Sequence, residues 1–165
     1  MSTASEPLAS APCFQDLAPV AVEVARGVTR LFCRRDLFAM CEVPLPNGRR
    51  ADLMGIDPKG RLTIVEIKVS KADLTGDAKW TDYLDYCDNF FWAVPPALAG
   101  LLEEDRFLPE SAGVIVADRY DAAIVREAPE RALAPARRKA EILRFARRAA
   151  RRLSAQIDPT LGWGN

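Results

Sequence analysis

The sequence contains no histidine, and this absence excludes several kinds of active site. Ser-His-Asp and Cys-His nucleophiles, histidine general bases and histidine-rich zinc sites all require an imidazole. The four cysteines show no C-x-x-C spacing, so the sequence offers no thiolate pair for a metal either. Any catalysis therefore depends on carboxylates, lysine, arginine or tyrosine.

The sequence is also without long apolar runs and without a glycine-rich nucleotide loop. A membrane span needs about 18 consecutive apolar residues, and ATP-driven action needs a loop that cradles phosphates. We therefore expect neither a membrane partner nor a nucleotide cofactor. Residues 1–12 contain no lysine or arginine, so they predict a short disordered arm rather than a secretory signal, and hence a cytoplasmic protein.

The 165 residues, of which 49% are hydrophobic and 28% charged, suit one globular domain with a sizeable core. We expect this domain at residues 13–155, with a tail at 156–165. The 23 basic and 23 acidic side chains cancel overall, but eight basic residues lie between Arg137 and Arg152 beside a single acid, Glu141. A basic end therefore coexists with an acidic body.

Hydrophobic periodicity and turn residues predict an α/β fold in the order helix, three strands, helix, strand, followed by two strands and a terminal helix. The first helix begins at Leu17 and ends before Arg35. Later elements are expected at 37–43, 50–56 and 62–69 (strands), 70–79 (a loop), 80–88 (a helix), 90–94 (a strand), 97–104 (a short helix), and 113–117 and 122–126 (strands). The terminal helix begins at Pro135 and ends near Leu153.

The clearest local feature is a hairpin around the Asp-Pro-Lys-Gly turn at 57–60. Proline at its second position and glycine where a left-handed residue is needed indicate a type I turn with a bulge. In such a hairpin the residue numbers of two directly opposed partners add up to 118, which places Asp52 opposite Glu66. Lys68 projects from the same face, opposite Arg50. Two carboxylates and an amine therefore converge on one patch.

Directly opposed carboxylates repel each other unless a positive charge lies between them. A divalent cation would supply that charge, and ligands that are all oxygen favour Mg²⁺ or Mn²⁺. Glu66 and Lys68 also interrupt an apolar strand, where an unpaired charge costs several kcal/mol. The alternative is purely structural pairing, of Glu66 with Lys68 or Arg50 and of Asp52 with Arg50.

The hairpin motif Asp52…Glu66-Ile67-Lys68 resembles the core motif of the PD-(D/E)XK nuclease superfamily, with Ala51 where the motif has proline. Longer runs resemble the bacterial MmcB family of DNA-repair proteins, and they lie at 48–53, 65–80, 82–88 and 134–139. The likeness extends from about residue 17 to 153. It implies a restriction-endonuclease-like core with a mixed sheet, to which the last strands and the terminal helix are additions.

The resemblance also implies a nuclease site that uses Mg²⁺ or Mn²⁺. The residues corresponding to Asp52 and Glu66 would bind the metal together with the main-chain carbonyl of Ile67. Lys68 would position the attacking water and stabilise the developing negative charge.

Two glutamates are candidates for a further metal ligand. A glutamate of the first helix often joins the metal shell in the superfamily, and Glu23 matches it. Glu42 is a second candidate because its strand lies near the same edge. The alternative for Glu23 is an exposed helical carboxylate.

Polar and aromatic residues just after the motif predict a surface for the substrate. Lys79 and Tyr83 are four residues apart, and in some superfamily branches a polar residue and a tyrosine at this spacing serve the substrate. Asp77 belongs to the same predicted substrate-binding set. Lys79 would contact a phosphate, and Trp80 or Tyr83 would stack on an unpaired base. Alternatively the aromatic rings, Trp80 above all, cover the core and Asp77 caps a helix.

The arginines of the terminal helix predict contacts with DNA phosphates that are blind to sequence. Arg50, Arg137 and Arg138 complete the predicted substrate-binding set. The alternative is a solvated face on a packed helix, whose apolar stripe would consist of Ala140, Leu143, Ala146, Ala149, Ala150 and Leu153.

These features predict a DNA-repair nuclease that recognises the structure of DNA rather than its sequence. One alternative is a non-catalytic accessory protein that keeps the fold, binds DNA and positions other repair proteins. A nuclease that acts on RNA or tRNA is a further alternative.

Overall fold

The structure is a computed structural model that describes residues 18–160. Its α-helices are α1 (Pro19–Arg34), α2 (Lys71–Gly76) and α3 (Pro135–Ile157), and its strands are β1 (Phe38–Pro44), β2 (Arg50–Ile56), β3 (Leu62–Ile67), β4 (Asn89–Val94), β5 (Gly113–Ala117) and β6 (Ala122–Arg126). Three 3₁₀ helices span Trp80–Tyr86, Pro96–Glu103 and Asp105–Phe107. The predicted mixed α/β fold and its element order are confirmed. The predicted arm at 1–12 lies outside the described residues.

The six strands form one sheet in chain order from β1 to β6. β1, β2 and β3 pair antiparallel, β4 pairs parallel with both β3 and β5, and β6 pairs antiparallel with β5. Leu53 lies opposite Val65 and Ile56 opposite Leu62, so the predicted hairpin register is confirmed. At its turn Gly60 has a φ of 75°, the left-handed conformation that glycine adopts without a steric penalty.

Two hydrophobic layers cover the two faces of the sheet. On one face Val24, Val28 and Phe32 of α1 pack with residues such as Val65 and Ile67 of β3. The other face is covered by the 3₁₀ helices and α3. Every residue of β3 is buried, as the unbroken apolar strand pattern predicts.

The segment between β3 and β4 differs from its prediction in two places. Residues 71–76, expected within a loop, form α2, because the Ser70 hydroxyl accepts a hydrogen bond from the N–H of Asp73 and caps the helix. The expected α-helix at 80–88 is instead a 3₁₀ helix. Trp80, Tyr83 and Tyr86 recur every third residue, which is the 3₁₀ period, and all three are buried.

α3 packs with a different face from the predicted one and extends to Ile157, into the predicted tail. Leu143 and Leu153 of the predicted apolar stripe are 58% and 59% exposed, whereas Ile142 and Phe145 pack against the core. Polar anchors at both ends of α3 impose this orientation. Among residues 18–160, no helix is both long and apolar enough to cross a membrane.

The anchor at the N-terminal end of α3 is the buried carboxylate of Asp88. It accepts hydrogen bonds from the N–H groups of Leu62 (2.8 Å) and Leu133 (3.0 Å) and from the guanidinium of Arg138. A single carboxylate therefore joins β3, the segment before α3 and α3 itself.

Truncation of this carboxylate tests the anchor. We expect Asp88→Ala to lower the free energy of unfolding by about 3 kcal/mol, because it leaves buried donors and the charge of Arg138 without a partner. Urea denaturation measures the change. The matched control is Asp82→Ala, which removes an exposed carboxylate paired with Arg49 and should cost less than about 1 kcal/mol. Equal effects of the two substitutions would contradict the anchoring role.

Candidate active site

β2 and β3 separate at the point where Asp52 faces Glu66. The backbone ladder between these strands ends at the pair of Leu53 with Val65. Beyond it, the Asp52 carboxylate accepts a hydrogen bond from the N–H of Ile67 (2.7 Å), and the Glu66 carboxylate accepts one from the N–H of Asp52 (3.3 Å). Hydrogen bonds to side-chain oxygens thus replace the backbone ladder at this point. We call this arrangement of Asp52 and Glu66 between the parted strands the fork.

Burial and like charge act on both acids of the fork. Burial, together with the charge of Glu42, raises the pKa of Asp52 to about 6, although the hydrogen bond from Ile67 opposes the rise. Burial and then the charge of Asp52 raise the pKa of Glu66 well above its usual value. The pair therefore carries unfavourable negative charge, which a cation would neutralise.

Lys68 is a fixed cation at the edge of the fork. Its Nζ lies 3.0 Å from Oδ2 of Asp77 and 3.8 Å from both the Glu66 and the Asp73 carboxylate. Burial alone would lower the pKa of Lys68, but the hydrogen bond and charge of Asp77, with the charges of Glu66 and Asp73, outweigh it and raise the pKa. Lys68 is therefore a protonated amine and not a general base.

Glu42 lies on the other side of Asp52, at an irregularity in the edge strand β1. Its φ of 51° is left-handed, and Arg152 of α3 donates a hydrogen bond of 2.9 Å to its carbonyl oxygen. One carboxylate oxygen of Glu42 pairs with Arg50. The other, Oε1, is buried without a hydrogen-bond partner among the described residues. A buried acceptor of this kind next to Asp52 suits a cation or its bound water.

Glu23 does not reach the fork, so its predicted place in the metal shell is wrong. Its carboxylate accepts a hydrogen bond of 3.0 Å from Nε of Arg119, near the turn between β5 and β6. Val65 and Ile67 face α1, and strand alternation therefore directs Glu66 to the opposite face of the sheet. Glu23 and the carboxylate of Glu66 therefore lie on opposite faces of the sheet.

The aromatic residues after the motif are part of the core. Trp80 is 3% exposed, and the ring of Tyr83 stacks on Phe90 at a centroid distance of 5.9 Å. Neither ring is available to stack on a base. The Tyr83 hydroxyl nevertheless reaches the fork region, because it donates a hydrogen bond of 3.2 Å to the carbonyl of Arg50. Burial and the charge of Glu66 raise the pKa of Tyr83.

The other predicted substrate contacts occupy different environments. Asp77 lies inside the site because it holds Lys68. Lys79 and Arg50 are exposed, and Arg137 places its guanidinium 4.9 Å from the centroid of the Tyr86 ring. Arg138 is bonded to buried Asp88, so the phosphate contact predicted for it does not fit.

Sequence reasoning placed Asp73 in the polar cluster after the motif without giving it a role, and it missed the role of Arg152. Asp73 carries a detectable signal, since it lies in the first turn of the helix that Ser70 caps, close in sequence to Lys68. Arg152 carries none, because its partners are the main-chain carbonyls of Cys41 and Glu42, which are remote in sequence.

The donor set at the fork fits a hard divalent cation. Residues 18–160 contain no group of three or more His, Cys, Asp or Glu side chains placed to bind one ion. Mg²⁺ does not require such a group, because it commonly binds one or two carboxylates together with waters and substrate phosphates. Asp52, Glu66 and the main-chain carbonyl of Ile67 would form that smaller set, beside the unpartnered oxygen of Glu42.

Comparisons with known proteins identify the family of the chain. Residues 11–160 match the family model described as DNA repair protein MmcB-like. A solved structure of the SPO1766 protein of unknown function from Silicibacter pomeroyi is 45% identical, with a TM-score of 0.78 over 90% of this chain and 97% of that chain. A repair endonuclease from Pyrococcus abyssi matches 48% of this chain and 42% of its own at 19% identity and a TM-score of 0.33, too weak a likeness for any argument. No curated protein matches.

Neutralising Glu66 should stabilise the metal-free protein at pH 8. The raised pKa values mean that the folded state binds protons which the unfolded state has released, so stability falls as the pH rises above about 4.5, the usual pKa of glutamate. Glu66→Gln keeps an oxygen that can accept the N–H of Asp52 but removes the charge. Its melting temperature should therefore exceed that of the wild type at pH 8, and the difference should shrink towards pH 4.5.

The matched control is Glu23→Gln, which removes an exposed carboxylate paired with Arg119 and should bring no gain at pH 8. A Glu66→Gln variant that melts at or below the wild-type temperature at pH 8 in EDTA would show that the two acids do not repel each other.

Proposed function

The chain belongs to the MmcB-like family of DNA repair proteins, as its motifs predict, and from this premise we propose that it is a DNA-repair nuclease dependent on Mg²⁺ or Mn²⁺. The observation that carries the proposal is the fork between β2 and β3. It brings Asp52, Glu66 and Lys68 to one patch at the cost of two buried like charges. An arrangement that is unfavourable without a cation is typical of a site that binds one.

Asp52, Glu66 and the Ile67 carbonyl would hold the ion in this proposal. The bound metal would polarise a phosphoryl oxygen and lower the pKa of a coordinated water. Water then adds across the P–O bond of a phosphodiester, which leaves one product with a phosphate end and the other with a hydroxyl end. The two acids need only retain the ion and orient the water.

The role of Lys68 is electrostatic. Asp77 holds the ammonium group 3.0 Å away and keeps it protonated, so Lys68 presents a positive charge of fixed position beside Glu66. A preorganised cation stabilises the negative charge that develops on the phosphoryl oxygens. Asp77 thus acts on the reaction through Lys68 and not through a direct contact with DNA.

DNA is the proposed substrate, recognised by structure and acted on in the cytoplasm. About half to two-thirds of the hydrogen bonds between proteins and DNA go to phosphates and sugars, which carry no sequence information. The non-catalytic accessory protein remains the second candidate, because α3 carries exposed arginines whether or not the fork is active. Competition between unlabelled RNA and labelled DNA distinguishes a nuclease that acts on RNA from one that acts on DNA.

A cleavage assay tests the function. Labelled single-stranded, nicked, flapped and duplex DNAs are incubated with Mg²⁺ or Mn²⁺, with unlabelled RNA as competitor. Wild-type protein should cleave at least one structure, and Glu66→Gln and Lys68→Met should each lower the rate by about 10²–10³-fold. Glu23→Gln, on the opposite face of the sheet, should cleave at the wild-type rate. If wild type binds these DNAs but cleaves none of them with either metal, the accessory protein replaces the nuclease.

A further inference from the structure

A groove of about 650 Å³ lies between α3 and the β1–β2 hairpin, outside the fork itself. Val43, Pro44 and Met54 of the hairpin and Phe145 of α3 form its apolar floor. None of these residues has a role in binding the metal. The groove is therefore a separate concave surface whose chemistry is set by the residues along its rim.

The rim of the groove is strongly basic. It is formed by Arg144, Arg147, Arg148 and Arg151, against which the groove has one acid, Glu141. Glu141 is buried and already paired with Arg144. Arg147 and Arg148 form no hydrogen bond or ion pair with any residue of 18–160 that the structure describes. The groove thus offers guanidinium groups to an anionic ligand.

The dimensions of the rim suit one strand of nucleic acid. The eight residues from Arg144 to Arg151 span about 10 Å along α3, because an α-helix rises about 1.5 Å per residue. A strand stacked as in B-form DNA carries one phosphate per about 3.4 Å, and an unpaired strand can be more extended, so this length meets at most about three phosphates. A volume of 650 Å³ is that of a small-ligand pocket and cannot hold a duplex. Pro44 and Phe145, which are accessible apolar residues of the groove, would contact sugars and unpaired bases.

The groove lies next to the fork along β1 and β2. Val43 of its wall pairs with Ala51, the residue before Asp52. Met54 follows two residues later on the same strand and packs in the hydrophobic layer that contains Tyr83, whose hydroxyl reaches the fork region. A strand that lies in the groove therefore leads towards the two acids.

We propose that this groove binds the phosphodiester backbone of an unpaired DNA strand and guides that strand to Asp52 and Glu66. The guiding role rests on the proposed nuclease function, whereas the binding does not. Guanidinium groups pair with phosphate oxygens in bidentate geometry, and no ion pair within residues 18–160 competes for Arg147 and Arg148. An acidic peptide is the competing occupant.

The test measures binding without cleavage. Fluorescence anisotropy of a labelled single-stranded oligonucleotide is followed in EDTA over a range of salt concentrations. The double variant Arg147→Gln/Arg148→Gln should bind at least about 10-fold more weakly at 100 mM salt. The slope of log K against log salt concentration should become shallower by about 1.4, because two phosphate contacts on a single strand are lost.

The matched control is Lys59→Gln/Lys139→Gln, which removes the same charge from exposed positions that do not line the groove. It should retain wild-type affinity to within about 3-fold and an unchanged slope. The single variant Arg147→Gln changes one exposed position, and its loss of affinity for the oligonucleotide should lie between those of the control and the double variant. Melting temperatures confirm that each variant is folded.

Two results would overturn the proposal. One is a groove variant that binds DNA with the affinity and salt slope of the control. The other is binding of an acidic peptide, such as poly-glutamate, that depends on Arg147 while DNA does not compete. Neither result bears on cleavage at the fork. Conversely, a wild-type protein that binds single strands through these arginines yet cleaves nothing supports the groove and contradicts the nuclease function.

Discussion

The fork depends on two hydrogen bonds that replace the backbone ladder between β2 and β3. The Asp52 carboxylate binds the N–H of Ile67, and the Glu66 carboxylate binds the N–H of Asp52. If these strands continued as a regular ladder, each acid would lie on a covered sheet face with no route to a ligand. Because the strands part, the two carboxylates lie beside each other, and the charged end of Lys68 lies 3.8 Å from that of Glu66.

The surrounding elements hold this unfavourable arrangement in place. The aromatic 3₁₀ helix packs beneath it, Asp77 fixes Lys68, and Arg152 binds the carbonyl of Glu42 at the irregular edge strand. Burial, and then like charge, raise the pKa of Asp52 and of Glu66, so the ionised form of either acid opposes folding. The fold therefore carries an electrostatic cost at one point, and a bound cation would offset it. The same α3 that supports the fork also forms the basic groove beside it.

The sequence predicts those parts of the site that depend on local chemistry. The turn at 57–60 sets the hairpin register, and the register alone places Asp52 opposite Glu66. Glu23 could not be excluded in this way, because the sheet face covered by α1 is a property of the assembled fold. The packed face of α3 was also misplaced, since its orientation follows from the bonds of Arg138 and Arg152 to distant partners rather than from apolar periodicity. Polar anchors between remote segments leave no periodic signal.

The position of a bound metal tests the central claim most directly. Crystals soaked in Mn²⁺ reveal the ion by its anomalous scattering, without any assumption about the substrate. The account predicts a peak within coordination distance, about 2.0–2.6 Å, of carboxylate oxygens of both Asp52 and Glu66, and its loss in Glu66→Gln crystals soaked in the same way. A fork that takes up no Mn²⁺ while the ion binds elsewhere on the chain would contradict it.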